Sequence, residues 1–494
     1  MAQIKQLWLM FSIITTLIML MFLIGGSNIS QGFSSSYSFS GGDVDPRATR
    51  RFKNLIVHID LKGAPPRVEY LIDFFKLLSK NHVDGVAMEY EDMFPYSGDL
   101  EDVRRDSGAY TEDDIRRITM EAAALNLEII PLIQTFGHLE FLLKRPAFRT
   151  LSEDFIDINT ICISDYRSID IIHQMILQIR RLHPNSTRIH IGSDEAYHVA
   201  EDVRCHQKMS NEKMGKSELK MRHIAKIGKF AKEIAHFKTV FAWNDMFDKE
   251  AESAIKGAEL HKWIVPVVWG YRVDVTEDGY FPEGLFERIP NVFEEFYVAS
   301  AYKGADGARQ QFSNISRYLE NQKSYTKLMD LHPKAAEKVS GIFVTGWSRF
   351  NHLNALCELL PVSIPSLIID LLYLNYGISG NSAWKSMKNQ LDCDQETFLR
   401  GVLSEWTIRG CKFPGADVFE IIMHDWKRQV DRRLLGRQDL SPDQKSPTAV
   451  LSNLKTALKP ILFDADIDEI YHQYLNDFHS IHSRTTIFPD LSNS

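Results

Sequence analysis

Asp194 and Glu195 stand side by side in Arg188-Ile-His-Ile-Gly-Ser-Asp-Glu-Ala-Tyr197, where a short apolar run gives out. Adjacency restricts what two carboxyl groups can do. Consecutive Cα atoms lie about 3.8 Å apart, whereas two carboxyls that attack a sugar from opposite faces need roughly 5 to 9 Å between them. The pair therefore suits a reaction whose nucleophile belongs to the substrate. The same stretch continues as Asp194-Glu-Ala-Tyr-His198, a near match to H-E-x-x-H that would offer metal ligands at i and i+4. Its preceding alternation, ending at Gly192, favours a strand over a zinc-binding helix.

The elements that must position these residues follow a regular alternation. From Arg51 onward short β-branched runs predict strands over 55–61, 86–90, 128–134, 188–192, 239–243, 265–269, 294–300 and 341–347. Amphipathic stretches between them predict helices over 68–81, 111–125, 167–182 and 213–235, with Thr111 placed to cap the second, three residues before Asp114. Eight such units predict an α/β fold, a (β/α)8 TIM barrel over 51–378. Polar and aromatic residues recur at the strand ends, as Asp60 and Lys62, Glu89 to Asp92, Gln134 and His138, Trp243 to Asp245, Trp269, Tyr302, Trp347 and Arg349. The carboxyl end of the strands is where such barrels build their sites. Residues 379–494 read as a helical C-terminal extension for packing or oligomerisation, with 416–434 its clearest helix.

At 494 residues, 44% apolar and 25% charged, the chain has material for a large core. A net charge of -8 and a pI near 6.1, with no Lys/Arg stripe, exclude a nucleic-acid partner. Residues 7–24 form an apolar run broken only by Ser12, Thr15 and Thr16, long enough to span a bilayer. With Lys5 before it, the run predicts a cytoplasmic tail at 1–6, a membrane signal anchor, a flexible Gly/Ser-rich stem at 25–50 and a lumenal body. Secretion after cleavage near Gly25-Gly26-Ser27 is the alternative. Asn28, Asn185 and Asn314 head glycosylation sequons, which count only for a lumenal body. The five cysteines, Cys162, Cys205, Cys357, Cys393 and Cys411, show no C-x-x-C spacing, so neither a zinc site nor a disulfide framework is indicated. No metal or cofactor is expected.

Six segments in barrel order carry a resemblance: His58-Ile-Asp-Leu-Lys-Gly-Ala-Pro-Pro66, Glu89-Tyr-Glu-Asp-Met-Phe-Pro-Tyr96, Ile130-Pro-Leu-Ile-Gln-Thr-Phe-Gly-His138, His190-Ile-Gly-Ser-Asp-Glu195, Thr345-Gly-Trp347 and Cys357-Glu-Leu-Leu-Pro361. Over about 52–375 the chain resembles glycoside hydrolase family 20, in its hexosaminidase D-like branch. The resemblance implies an exo-acting β-N-acetylhexosaminidase with substrate assistance. Glu195 would protonate the departing glycosidic oxygen and then activate water. Asp194 would hold the 2-acetamido group, whose carbonyl oxygen attacks the anomeric carbon, giving an oxazoline and retained configuration. Asp194 must then be ionised while Glu195 keeps its proton, a separation that like-charge repulsion and burial can produce.

By the same resemblance Trp243, Trp269 and Trp347 wall the sugar and the acetyl methyl, and Tyr302 donates to the acetamido carbonyl, with Tyr271 competing for that role. Asp60, Lys62, Glu89 and Asp92 would bind ring hydroxyls; His138 and His190 would position the acid pair. Two departures stand out. Lys62 takes the place of an arginine found elsewhere in the family, and Gly270 stands after Trp269 where the branch usually has an acidic residue. The implied partner is a glycan ending in β-linked GalNAc or GlcNAc, an N-glycan or other glycoconjugate of the secretory pathway. Anchored relatives resemble Golgi glycosidases, and pairing through barrels implies a homodimer. Rival readings are a lectin-like barrel with weak catalysis, a metal-dependent hydrolase using Asp194 and His198, and a family 18 barrel, whose acidic strand motif Asp154-Phe-Ile-Asp157-Ile-Asn159 does not complete.

Overall fold

The computed structural model describes residues 45–394, 407–436 and 445–485. Eight parallel strands close a barrel in chain order: β1 (Asn54–Asp60), β2 (Gly85–Glu89), β3 (Glu128–Leu132), β4 (Arg188–His190), β5 (Thr239–Trp243), β6 (Val265–Trp269), β7 (Phe296–Lys303) and β8 (Val339–Gly346), with β8 pairing back onto β1. Alternation along the strands divides their side chains between two cores. Ile56, Ala87, Ile130, Leu132, Phe241, Trp243, Val267, Tyr297, Ala299 and Phe343 fill the barrel interior. Their strand neighbours, such as Val57, Val86, Ala242, Val268, Val298 and Ile342, meet the surrounding helices. Both faces are covered, which is why the strands read as continuous apolar runs.

The helices form where apolar residues recur at i, i+3 and i+4. Val68–Lys80 buries Val68, Leu71, Ile72, Phe75 and Leu78 against the strands. Thr111 caps Glu112–Ala124 through a reciprocal capping box with Asp114. The helix expected from residue 213 starts at Lys216 instead, because Lys213 adopts a left-handed conformation (φ 51°) that ends the preceding helix Val203–Glu212. β4 stops at His190, short of the expected 192, because Gly192, Ser193 and Glu195 take φ of 61°, 73° and 43°. A run of left-handed residues cannot continue a ladder, and such backbone concentrates at working sites.

The compact unit that holds the barrel begins at Pro46. Pro46 is buried, and the Arg50 guanidinium donates to the His82 carbonyl and the Asn375 side chain. The expected anchor at 7–24 and the sequon at Asn28 lie outside the described residues; among the described residues no single helix is long and apolar enough to cross a membrane. Beyond the barrel follow Gly380–Gln390, Ala416–Glu420, a six-residue π-helix Ile421–Trp426, Lys427–Leu434, Pro447–Leu458 and Asp464–Thr485. Cys393 and Cys411 form a disulfide, a pairing that sequence spacing does not indicate. Their partnership arises because Asp394 N and Lys412 N bond to Arg409 O and Leu391 O, bringing two distant segments together.

Candidate active site

Asp194 and Glu195 sit on the loop that leaves β4, and the loop that leaves β3 brings His138 against both. His138 Nε2 is 3.1 Å from Glu195 Oε2 and 3.6 Å from Asp194 Oδ2. The two loops interlock at the backbone: a Cβ on Gly137 would collide with the Asp194 carbonyl, so only glycine allows this approach. Asn159, with its amide turned to satisfy its neighbours, accepts from His138 N (3.2 Å) and donates to Glu195 O (3.0 Å). A third carboxylate completes the cluster, as Asp245, beyond β5, accepts from Glu195 N at 2.9 Å and from Trp269 Nε1 at 3.0 Å.

Burial and charge set the protonation of this cluster. Burial pushes Asp194 up to about 7; His138 opposes that shift, and Asp245, Glu195 and Glu89 reinforce it. Burial also lifts Asp245, to about 6, against its hydrogen bonds from Glu195 N and Trp269. For His138, burial disfavours charge, yet Asp194 and the bond to Glu195 raise it to about 10. Burial likewise works to raise Glu195, but the hydrogen bond and charge of His138 hold it below the ordinary glutamate value. In the free site, then, the order is the reverse of the expected one: Glu195 is the ionised carboxyl and Asp194 the one that retains a proton. The reason is geometric, since the imidazolium lies closer to Glu195 while Asp194 faces the other acids. The cluster titrates as a unit.

Aromatic rings form the adjoining wall. Trp243 and Trp347 lie 6.0 Å apart between centroids, Tyr271 stacks on Trp269 at 5.4 Å and meets Trp347 edge-on at 6.3 Å. Trp243 is fully buried with its indole N–H unpartnered among the described residues, as are Asp194 Oδ1, His190 Nε2 and Gln134 Oε1. Buried polar atoms of this kind await a partner, because leaving them unpaired is costly.

Comparison with known proteins shows the family. The sequence profile "Glycosyl hydrolase family 20, catalytic domain" matches residues 83–356. Hexosaminidase D of Bos taurus is 36% identical over 323 residues, covering 65% of this chain and 92% of the relative. The chain belongs to glycosyl hydrolase family 20. Hexosaminidase D of Homo sapiens is 35% identical over 327 residues, 66% of either chain. A solved β-N-acetylhexosaminidase from Bacteroides fragilis, 13% identical, superposes with a TM-score of 0.51 over 74% of each chain, a likeness of fold.

Within this family 20 barrel the expected hydroxyl-binding residues separate into two groups. Lys62 Nζ lies 3.1 Å from Asp60 Oδ1, 3.0 Å from Glu89 Oε1 and 3.5 Å from Glu91 Oε1, and 5.4 Å from the centre of the Trp347 ring. The side chains of Asp60 and Glu89 have no exposure. Asp60 Oδ2 accepts from Ser348 N, and Glu89 is also bonded by His58 and Gln134. Asp60 and Glu89, expected to bind sugar hydroxyls, are held by protein donors and fix Lys62, whose own side chain is 3% exposed. Asp92 stays nearer the mouth, with 11% of its side chain exposed, and pairs with Lys144 at 2.8 Å and His352 at 3.3 Å.

Tyr302 stands elsewhere than expected. On β7 the inward parity belongs to Tyr297 and Ala299, so Tyr302 points into the layer between strands and helices, its hydroxyl donating to the His58 carbonyl at 3.4 Å. Tyr271 takes the place beside the tryptophans, stacked on Trp269, edge-on to Trp347 and within electrostatic reach of Asp194. We expect Tyr271→Phe to lower kcat about 10²-fold, the scale of losing one preorganised donor. Tyr302→Phe should change kcat by less than about twofold, since it keeps the ring packing and removes only a long hydrogen bond to the His58 carbonyl outside the sugar wall. Steady-state kinetics of the two variants on one chromogenic N-acetylhexosaminide checks both.

Other residues fall into place by contact. His190 packs on Trp243 at 4.3 Å and lies under the site without touching a carboxylate through a hydrogen bond. His198 bonds to Asp157 (3.1 Å) and Glu201 (2.9 Å) and groups with Asp154, so the Asp194/His198 metal pair is not assembled. Gly270 is closed in by Tyr280 and Phe281, whose rings occupy the space that an acidic side chain would need. Two functional residues, Asn159 and Tyr197, are given no site role in the sequence reading, and Asp245 is placed at a strand end without one. Asn159 acts through backbone contacts and Asp245 through the Glu195 amide and the Trp269 indole, which no motif marks, and Tyr197, 57% exposed, lies near Glu195 at the rim. Asp245 stood two residues after a strand-end tryptophan, which was the one available signal.

Proposed function

We propose that the chain is a retaining β-N-acetylhexosaminidase that removes terminal β-linked GalNAc and GlcNAc by substrate assistance, through an oxazoline. It is a family 20 glycoside hydrolase. The observation that carries the mechanism is that Asp194 and Glu195 share one imidazole: their reactive atoms and that of His138 lie within 4.8 Å of one another, on one edge of the site. Carboxyls so placed cannot work on opposite faces of a pyranose. A 2-acetamido group bound at Asp194 supplies the missing nucleophile. Its N–H would donate to Asp194, favour the ionised form there, and stabilise the charge that grows on nitrogen as the carbonyl oxygen attacks C1. The proton displaced from Asp194 is taken up within the cluster, where Glu195, bridged by His138 Nε2–H, becomes the donor to the leaving oxygen. The nearby Trp243, Trp269 and Trp347 suit the sugar face and the acetyl methyl.

The deciding experiment compares nitrophenyl β-GlcNAc, β-GalNAc and β-glucoside. Turnover of both acetamido sugars and at least about 10³-fold less on the glucoside is expected, the effect of replacing an intramolecular nucleophile by none. Equal use of the glucoside would overturn the assignment of the nucleophile.

We further propose a single-pass, type II membrane protein with a lumenal body, in the Golgi or another secretory membrane, acting on N-glycans or related glycoconjugates. The Cys393–Cys411 disulfide supports an oxidising compartment, and Asn185 is exposed in the loop before β4. Asn314 is half-buried, its side-chain oxygen capping Ile315–Leu331 through Arg317 N at 3.2 Å. Glycosidase-sensitive mass shifts at these asparagines in a secretory host test the topology.

A further inference from the structure

The C-terminal helix Asp464–Thr485 presents Asp466, Glu469, Gln473 and Asp477 at spacings of three and four residues, on one face. Each reaches a loop at the carboxyl end of the barrel. Asp466 accepts from Arg105, after β2, at 2.8 Å. Glu469 accepts from Arg349, after β8, at 2.6 Å. Gln473 exchanges two 2.9 Å bonds with the backbone of Leu356. Asp477 accepts from Arg309 and Gln311, after β7, at 2.7 and 3.1 Å. Just before the helix, Arg67 of the β1 loop donates to the Leu462 carbonyl at 2.8 Å. The extension thus staples the loops that build the site.

One rung leads inward. The Arg349 guanidinium lies on the Cα of Gly63, so closely that a Cβ there would collide with it. The Arg349 and Ser348 amides donate to Asp60 Oδ2 at 3.4 and 2.8 Å, and the Ser348 hydroxyl donates to the Asp60 carbonyl at 2.8 Å. Asp60 holds Lys62, and Lys62 faces Trp347. We infer that Glu469 is a positioning residue for this site: by anchoring Arg349 across Gly63 it sets the β1 and β8 loops against each other and so places Lys62 and Trp347 against the bound sugar. The Arg349 side chain is 9% exposed and Glu469 45%. A half-exposed pair adds little to folding, but its loss leaves a covered guanidinium without its anion, and the arginine must turn toward water.

The inference rests on the hexosaminidase reading for its kinetic test. Lys62 and Trp347 would contact the sugar in ground and transition states alike, so Glu469→Ala should raise KM about fivefold with kcat within about twofold. Glu469→Gln, which keeps an acceptor, should recover most of that rise. Asp477→Ala, a rung on the same face that does not lead to Asp60, serves as control and should leave KM unchanged. Hydrogen exchange needs no turnover: the Ser348 and Arg349 amides should exchange about tenfold faster in Glu469→Ala and not in Asp477→Ala. If the wild type cleaved no N-acetylhexosaminide, the functional reading would fail while exchange still judged the brace. Wild-type KM and exchange in Glu469→Ala, or equal effects in Asp477→Ala, would overturn it.

Discussion

Glu195→Gln is expected to lower kcat/KM on a β-N-acetylhexosaminide by about 10² or more, the scale of a missing general acid. The amide is nearly isosteric and can still accept from His138, so the loops keep their contacts and the loss is one of proton transfer. It should deepen as the leaving group becomes more basic, because a poor leaving group needs the proton more, and should be smallest for nitrophenol. Melting temperatures of the variant and wild type should agree within a few degrees, which separates lost chemistry from lost structure. A variant that kept wild-type rates on an alkyl or disaccharide substrate would remove Glu195 from its role.

His138→Gln carries the second large effect, read as a pH profile. In the wild type Asp194 sits near 7 and His138 near 10, so kcat/KM, which reports the free enzyme, should fall on the basic side near neutrality as Asp194 loses the proton that binding passes to Glu195. Removing the imidazolium deprives Asp194 and Glu195 of their positive neighbour, which raises both. The basic limb of kcat/KM then moves to higher pH, while loss of the imidazole that bridges the two carboxyls lowers activity at pH 6 by about 10². An unmoved limb would show that His138 does not set the charge of the pair.

Stability should follow the same groups with a definite sign. His138 is raised above its ordinary 6.5, so its contribution is complete below that pH and is lost as pH climbs toward about 10. Asp194 is raised above 3.8, so the folded state favours its neutral form and stability declines as pH rises from about 4 to 7. Both act in one direction. The melting temperature should therefore fall from pH 6.5 to 10, and fall less in His138→Gln.

Much of the fold was legible because its signals are local. Each strand alternates with an amphipathic helix at spacings that only a parallel α/β arrangement satisfies, and all eight strands lie within a few residues of the expected positions. Boundaries moved where single residues took left-handed backbone, at Lys213 and at Gly192 to Glu195. Tyr302 shows the limit of strand-end reasoning: a residue can end a strand and still face the helices, because direction alternates with each position. Asp60 and Glu89 show another, since residue type indicates a charge but not whether protein donors already surround it.

The adjacency of Asp194 and Glu195, and the demand it makes for a nucleophile from the substrate, belong to the primary structure alone, for no folding can move consecutive residues to opposite faces of a ring. Which of the two holds the proton belongs to the tertiary structure. That depends on His138 arriving 3.1 Å from one and 3.6 Å from the other, from a strand more than fifty residues away. Charge and burial act through space, and distance in the chain does not report them.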